Sequence, residues 1–205
     1  MLVALLVAGA PARAAGVDAA RLRAAALAGD WKQIQPMGSG VLPELARLYE
    51  ASSPKDRATI AYVFYSLGWE SPDAKRVLMA DVHTQDRALR LQVQWALGRV
   101  SDDADVVDVL LDNMQNDAQP LFRDKAACAL AYDQIHLAPA QKARLFEGLV
   151  HALDDDKPQV RQIALQALQI LTGQTKGFLP MADPETRRRA VEEWKRWLVE
   201  YRANL

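Results

Sequence analysis

Arg90-Leu91-Gln92-Val93-Gln94-Trp95-Ala96-Leu97 is one of four segments that share a single pattern, and the comparison among them decides the fold. The others are Arg57-Ala58-Thr59-Ile60-Ala61-Tyr62-Val63-Phe64, Arg123-Asp124-Lys125-Ala126-Ala127-Cys128-Ala129-Leu130 and Arg161-Gln162-Ile163-Ala164-Leu165-Gln166-Ala167-Leu168. The arginines stand 33, 33 and 38 residues apart. Three, six and seven residues after each arginine come small or apolar side chains: Ile60, Val63, Phe64; Val93, Ala96, Leu97; Ala126, Ala129, Leu130; Ala164, Ala167, Leu168. Offsets of three and four place them on one face of a helix.

Twelve residues before each arginine is a leucine, Leu45, Leu78, Leu111 or Leu149, inside a second apolar-periodic segment. Each unit therefore reads as helix, turn, helix. Ser52-Ser53-Pro54 and Asp154-Asp155-Asp156-Lys157-Pro158 mark turns, because these residues cap helices or cannot continue them. One helix pair cannot bury its apolar face alone, so neighbouring units must stack to form a common core.

The pattern resembles the HEAT-repeat group, including the shorter bacterial HEAT-like repeats, over residues 41–173. Asp117 precedes Arg123 by six and Asp155 precedes Arg161 by six, as in the family's inter-repeat Asp/Arg ladder, and Pro158-Gln159-Val160-Arg161-Gln162-Ile163-Ala164 resembles its second-helix start. Arg57 and Arg90 have Ala51 and Thr84 at the corresponding Asp positions, so the ladder is expected to weaken toward the N-terminus. The Thr-Pro-Leu-His signature of ankyrin repeats and the tetratricopeptide Trp/Leu-Gly/Tyr pattern are absent. The resemblance implies an all-α superhelix of about four helix pairs, with units at 41–70, 71–102, 103–137 and 138–173. Helices over 16–40 cap it at one end, and a loop and helix over 174–205 at the other. Similar endings, with Thr172-Gly173-Gln174, Gly177-Phe178-Leu179-Pro180 and a helix carrying Trp194, Trp197 and Tyr201, occur in exported bacterial HEAT-repeat proteins.

Half of the 205 residues are hydrophobic while only 7% are aromatic, and Ala and Leu dominate, which suits helices better than strands. Lys and Arg number 25 against 26 Asp and Glu, a formal charge of −1, so the field that drives nucleic-acid binding is missing. The single cysteine, Cys128, excludes an internal disulfide framework and a multi-cysteine zinc site, and reads as a small core residue. Leu2-Val3-Ala4-Leu5-Leu6-Val7-Ala8 followed by Ala12-Arg13-Ala14 reads as a signal peptide over residues 1–15 that is too short to span a bilayer, which implies a periplasmic or secreted protein without an integral membrane span. The alternative is an ordinary apolar N-terminal helix.

The residues suggest no catalytic, cofactor or metal site. His83, His136 and His151 lack both a neighbouring Glu and ligand spacing to one another, and read as surface or interface side chains. Asp102, Asp103, Asp105 and Asp108, and the run at 154–156, lack the glycine and terminal Glu of a calcium loop and read as helix-start carboxylates. Positions five, eight, nine and twelve after the repeated arginine lie off the core face and hold Tyr62, Tyr65, Trp69, Trp95 and Tyr132. These rings either line a concave binding groove or fill gaps between repeats. The first case implies a non-catalytic scaffold for a protein or peptide partner in the bacterial envelope. The competing reading, from the bilin-lyase type of HEAT-like protein, is an enzyme-associated module that handles a small-molecule ligand.

Overall fold

The computed structural model describes residues 18–205, so the expected signal peptide and the start of the first cap segment lie outside the described residues. Eleven helices follow one another, with no strand among the described residues. They are α1 (Ala19–Leu27), the single turn α2 (Trp31–Ile34), α3 (Leu42–Glu50), α4 (Pro54–Leu67), α5 (Pro72–Ala80), α6 (Arg87–Val100), α7 (Ala104–Asn116), α8 (Pro120–Tyr132), α9 (Pro139–Ala152), α10 (Pro158–Thr172) and α11 (Pro184–Ala203). Six of them start on a proline, whose missing N–H costs nothing in a first turn. Ser53, Ser71 and Asp183 precede three of these prolines and accept hydrogen bonds from first-turn N–H groups.

The helices form two rows. Second helices α4, α6, α8 and α10 pack side by side, each against its neighbour. Across the core α3, α5, α7 and α9 pair with α4, α6, α8 and α10 respectively, and α11 extends the first-helix row by packing on α9. All twelve side chains at offsets three, six and seven are at most 1% exposed, and Leu45, Leu78, Leu111 and Leu149 are buried opposite them. The 3.6-residue period thus supplies a core shared by all units, the architecture of an all-α, HEAT-like solenoid.

The four arginines bind the turns together. Arg57 donates to the carbonyls of Tyr49, Glu50 and Ser52, satisfying the open end of α3, and reaches the Asp81 carboxylate of the next unit at 3.3 Å. Arg90 pairs with Asp117, again one unit on, and its guanidinium lies 4.3 Å from the centre of the Phe122 ring. Arg123 donates to the Asp117 carbonyl at 2.6 Å and to Gln159 Oε1 at 3.0 Å, and Arg161 to the carbonyls of Asp155 and Pro180. The ladder therefore runs from an arginine to the following unit, and its ionic rungs are the two N-terminal ones. This reverses the expected weakening toward the N-terminus. Asp81, three residues before Thr84, supplies the carboxylate for Arg57, while the Asp155 carboxylate instead accepts the Lys157 N–H inside its own turn.

The first-helix row carries its own cross-links. Lys75 Nζ lies 2.6 Å from Asp103 and 2.8 Å from Asp105, and Arg144 lies 2.6 Å from Asp108. Asp103 and Asp105 are thus occupied by a cation from the preceding unit, and Asp103 makes no side-chain cap bond despite its N-cap position. At the C-terminal end Trp194 is fully buried, Trp197 and Tyr201 meet Phe146 edge-on at 5.1 Å, and the Tyr201 hydroxyl donates to the Pro139 carbonyl. The basic residues Lys195 and Arg196 point outward and pair with Glu192 and Glu193.

Candidate binding groove on the second-helix face

The groove follows from helical register. Five residues after each arginine stand Tyr62, Trp95, Cys128 and Gln166, one per second helix, and all four line hollows on the same face. Nine residues after it, Arg99, Tyr132 and Ile170 do the same. Because α4, α6, α8 and α10 lie side by side, these positions join into rows that cross the repeats.

A central hollow of about 570 Å³ lies over α4, α6 and α8, among Tyr62, Tyr65, Gln92, Trp95, Arg99 and Tyr132. Toward the N-terminus it shares Tyr62, Gln92 and Trp95 with a hollow of about 450 Å³ that reaches Ala28 and Gly29. Toward the C-terminus it shares Cys128 and Tyr132 with one of about 310 Å³ between α8 and α10. The three are open and share lining residues, so together they follow a groove across the repeats. Tyr62 is 40% and Tyr132 59% exposed, whereas Tyr65 and Trp95 are half-buried, with one side of each packed on the core. Four of the five aromatic candidates therefore meet in one place.

Trp69 does not join them. Gly68 adopts a left-handed conformation (φ 63°) that ends α4 at Leu67, so a residue counted twelve along the helix no longer lies on its face. Trp69 is half-buried against the core instead.

The floor of the groove is an ion pair. Arg99 Nε donates to Asp133 at 3.0 Å, and its guanidinium lies 4.3 Å from the Tyr65 ring centre. Burial pushes the Asp133 carboxyl above its usual range, and the bond to Arg99 pulls against that shift. The loop after α8 closes over this pair. His136 Nε2 stands 3.0 Å from both the Gly68 and the Arg99 carbonyls, joining the ends of α4 and α6, while His83 and His151 are exposed. The loop approaches so closely that a Cβ on Gly98 would stand 2.3 Å from Gln134 Nε2 and 2.7 Å from the Asp133 carbonyl.

Cys128, expected in the core, is half-buried at the groove wall, because offset five is off the core face. Burial raises its thiol pKa above the ordinary value, with the Asp124 charge adding to the shift. Gln92, Arg99 and Asp133 were not anticipated from the sequence. Arg99 carried a usable signal, since it occupies the same offset, nine, as Tyr132. Among the described residues no group of His, Cys, Asp or Glu side chains is placed to hold a metal ion.

A family model for HEAT repeats matches residues 42–131, the span from α3 to α8. These residues are HEAT repeats. Comparison with curated proteins and with solved structures finds no match. HEAT repeats generally act as scaffolds for protein–protein interaction, because stacked repeats present long surfaces along which a partner can lie. The match covers Tyr62, Tyr65 and Trp95 of the central hollow, together with Arg99, and stops one residue before Tyr132.

Proposed function

We propose that the protein is a non-catalytic scaffold of the bacterial cell envelope that binds a protein or peptide partner along the groove of its second-helix face. The observation that carries this reading is the gathering of Tyr62, Tyr65, Trp95 and Tyr132 from three repeats into one open hollow, with Tyr62 and Tyr132 extending into solvent. Large rings whose polar tips stay wet give much contact area for little lost side-chain freedom, which is why Tyr and Trp dominate binding hot spots. The polar groups at the floor are engaged with one another, as suits a binding surface rather than a site that must hand protons to a substrate.

The envelope assignment rests on the apolar run at Leu2-Val3-Ala4-Leu5-Leu6-Val7 and the small-x-small Ala12-Arg13-Ala14 behind it. Among the described residues no helix is long and apolar enough to cross a membrane. The test is affinity capture from an envelope extract, comparing wild type with Tyr62→Ala/Tyr132→Ala. Both side chains are exposed, so the variant should keep its helicity by circular dichroism. Loss of one captured protein, about tenfold or more, is the expected result, since each hot-spot ring is worth more than about 1 kcal/mol. Equal capture by the two proteins would remove the groove from the account.

A further inference from the structure

We infer that the central hollow is a docking site for an uncharged, proline-rich peptide in the polyproline II conformation, a reading that rests on the groove being the binding surface. Four features of the hollow point there. The first is charge. Arg99 and Asp133 neutralise each other at 3.0 Å, and Asp124, on the adjoining wall, is 2.8 Å from Lys125. A charged segment would find no unpaired counter-charge among these groups and would lose hydration on entering.

The second feature is the backbone. The walls are helices α4, α6 and α8, whose N–H and C=O groups are used within the helices, so no strand edge is offered for β-addition. The occupant's main chain must be held by side chains. The third is the chemistry of the walls. No Leu, Ile, Val or Met lines the central hollow, and Leu91, Ile163 and Ile170 enter only the hollows on either side, so the aliphatic anchors of an amphipathic helix have no matching holes at the aromatic centre. Flat ring faces at Tyr62, Trp95 and Tyr132 suit proline rings, and the Gln92 amide and tyrosine hydroxyls can donate to carbonyls that the polyproline helix leaves free. No hydrogen bond from the Tyr62 or Tyr132 hydroxyl is made to the described residues.

The fourth feature is length. Three helices packed about 8–10 Å apart give a track of about 16–20 Å. At about 3.1 Å per residue that track takes about six residues of polyproline II helix. Preformed peptides of this kind lose little conformational entropy on docking, which matters in a shallow groove.

The only cysteine, Cys128, sits in the wall of this hollow and provides the readout. The rate of its modification by a neutral thiol reagent is measured with acetylated, amidated decaproline and with a Gly-Ser peptide of equal length. Because burial raises the Cys128 pKa, the assay is run at mildly alkaline pH, where thiolate is present. Decaproline is expected to slow the reaction saturably, by about fivefold or more, and the Gly-Ser peptide to leave it unchanged. In Tyr62→Ala/Tyr132→Ala the concentration needed for protection should rise by about tenfold or more.

Protection by neither peptide, equal protection by both, or protection unchanged in the variant would overturn the inference. If decaproline fails while the envelope partner is still lost from the same variant, the polyproline assignment falls and the scaffold reading stands. If capture of that partner ignores the variant, the scaffold reading falls and this inference with it.

Discussion

Replacing Arg90 by alanine is expected to lower the unfolding free energy by about 3–5 kcal/mol, because it leaves the Asp117 carboxylate buried without its cation. Both side chains are almost wholly shielded, at 8% and 4% exposure, and Arg90 also covers the Phe122 ring. The bond that is lost joins the second unit to the third, so the damage falls in the middle of the array. Urea unfolding followed by circular dichroism measures it. The double variant Arg90→Met/Asp117→Leu separates the cost of an orphaned charge from the worth of the pair. It should regain most of the loss, since apolar side chains can replace a buried ion pair at little cost. A double variant as unstable as the single one would instead mean that the pair itself, and not its rupture, holds the units together.

Trp194→Ala should be nearly as costly, at about 3–5 kcal/mol, because it empties a fully buried site of its largest side chain. Its consequence is expected to be local. Trp194 stacks edge-on with Trp197 at 5.4 Å, which with Tyr201 packs on Phe146 of α9, so the cavity loosens the seat of α11. In an array where each unit touches only its neighbours, the far repeats feel this weakly. Limited trypsin digestion should cut early at Arg187, Arg188 and Arg189 while the segment from α3 to α8 stays protected. Simultaneous digestion of the whole chain would show that the cap is coupled to all units.

The architecture was legible in the sequence because core packing obeys the helical period. Ile60, Val63 and Phe64, and their counterparts in the other three segments, repeat at three, six and seven residues from an arginine, and every one is buried. The ladder was legible only in part. An arginine at a second-helix start announces itself by position, but its partner depends on how the next turn is placed. Hence Asp81 could serve where Thr84 stood in the aligned position, and Gln159 could serve Arg123.

The groove was visible as a row of offsets, but choosing aromatic residues alone concealed half of it. Cys128 and Gln166 share offset five with Tyr62 and Trp95, and Arg99 shares offset nine with Tyr132. Asp133 lay beyond reach, since it follows the last residue of α8 and turns inward only because the loop folds back over α6. Trp69 misled for the opposite reason, as Gly68 ends the helix one residue before it.

The measurement that bears most directly on the groove is site-specific photo-cross-linking from two exposed positions on opposite faces. A photoreactive phenylalanine analogue replaces Tyr132, on the second-helix row, or Asp112, on α7 of the first-helix row. Each protein is expressed with its full N-terminal segment and irradiated in cells. One discrete adduct from position 132, absent from position 112 and removed by Tyr62→Ala, is the expected result. The same adduct from position 112 and none from position 132 would place the partner on the first-helix face and contradict the account.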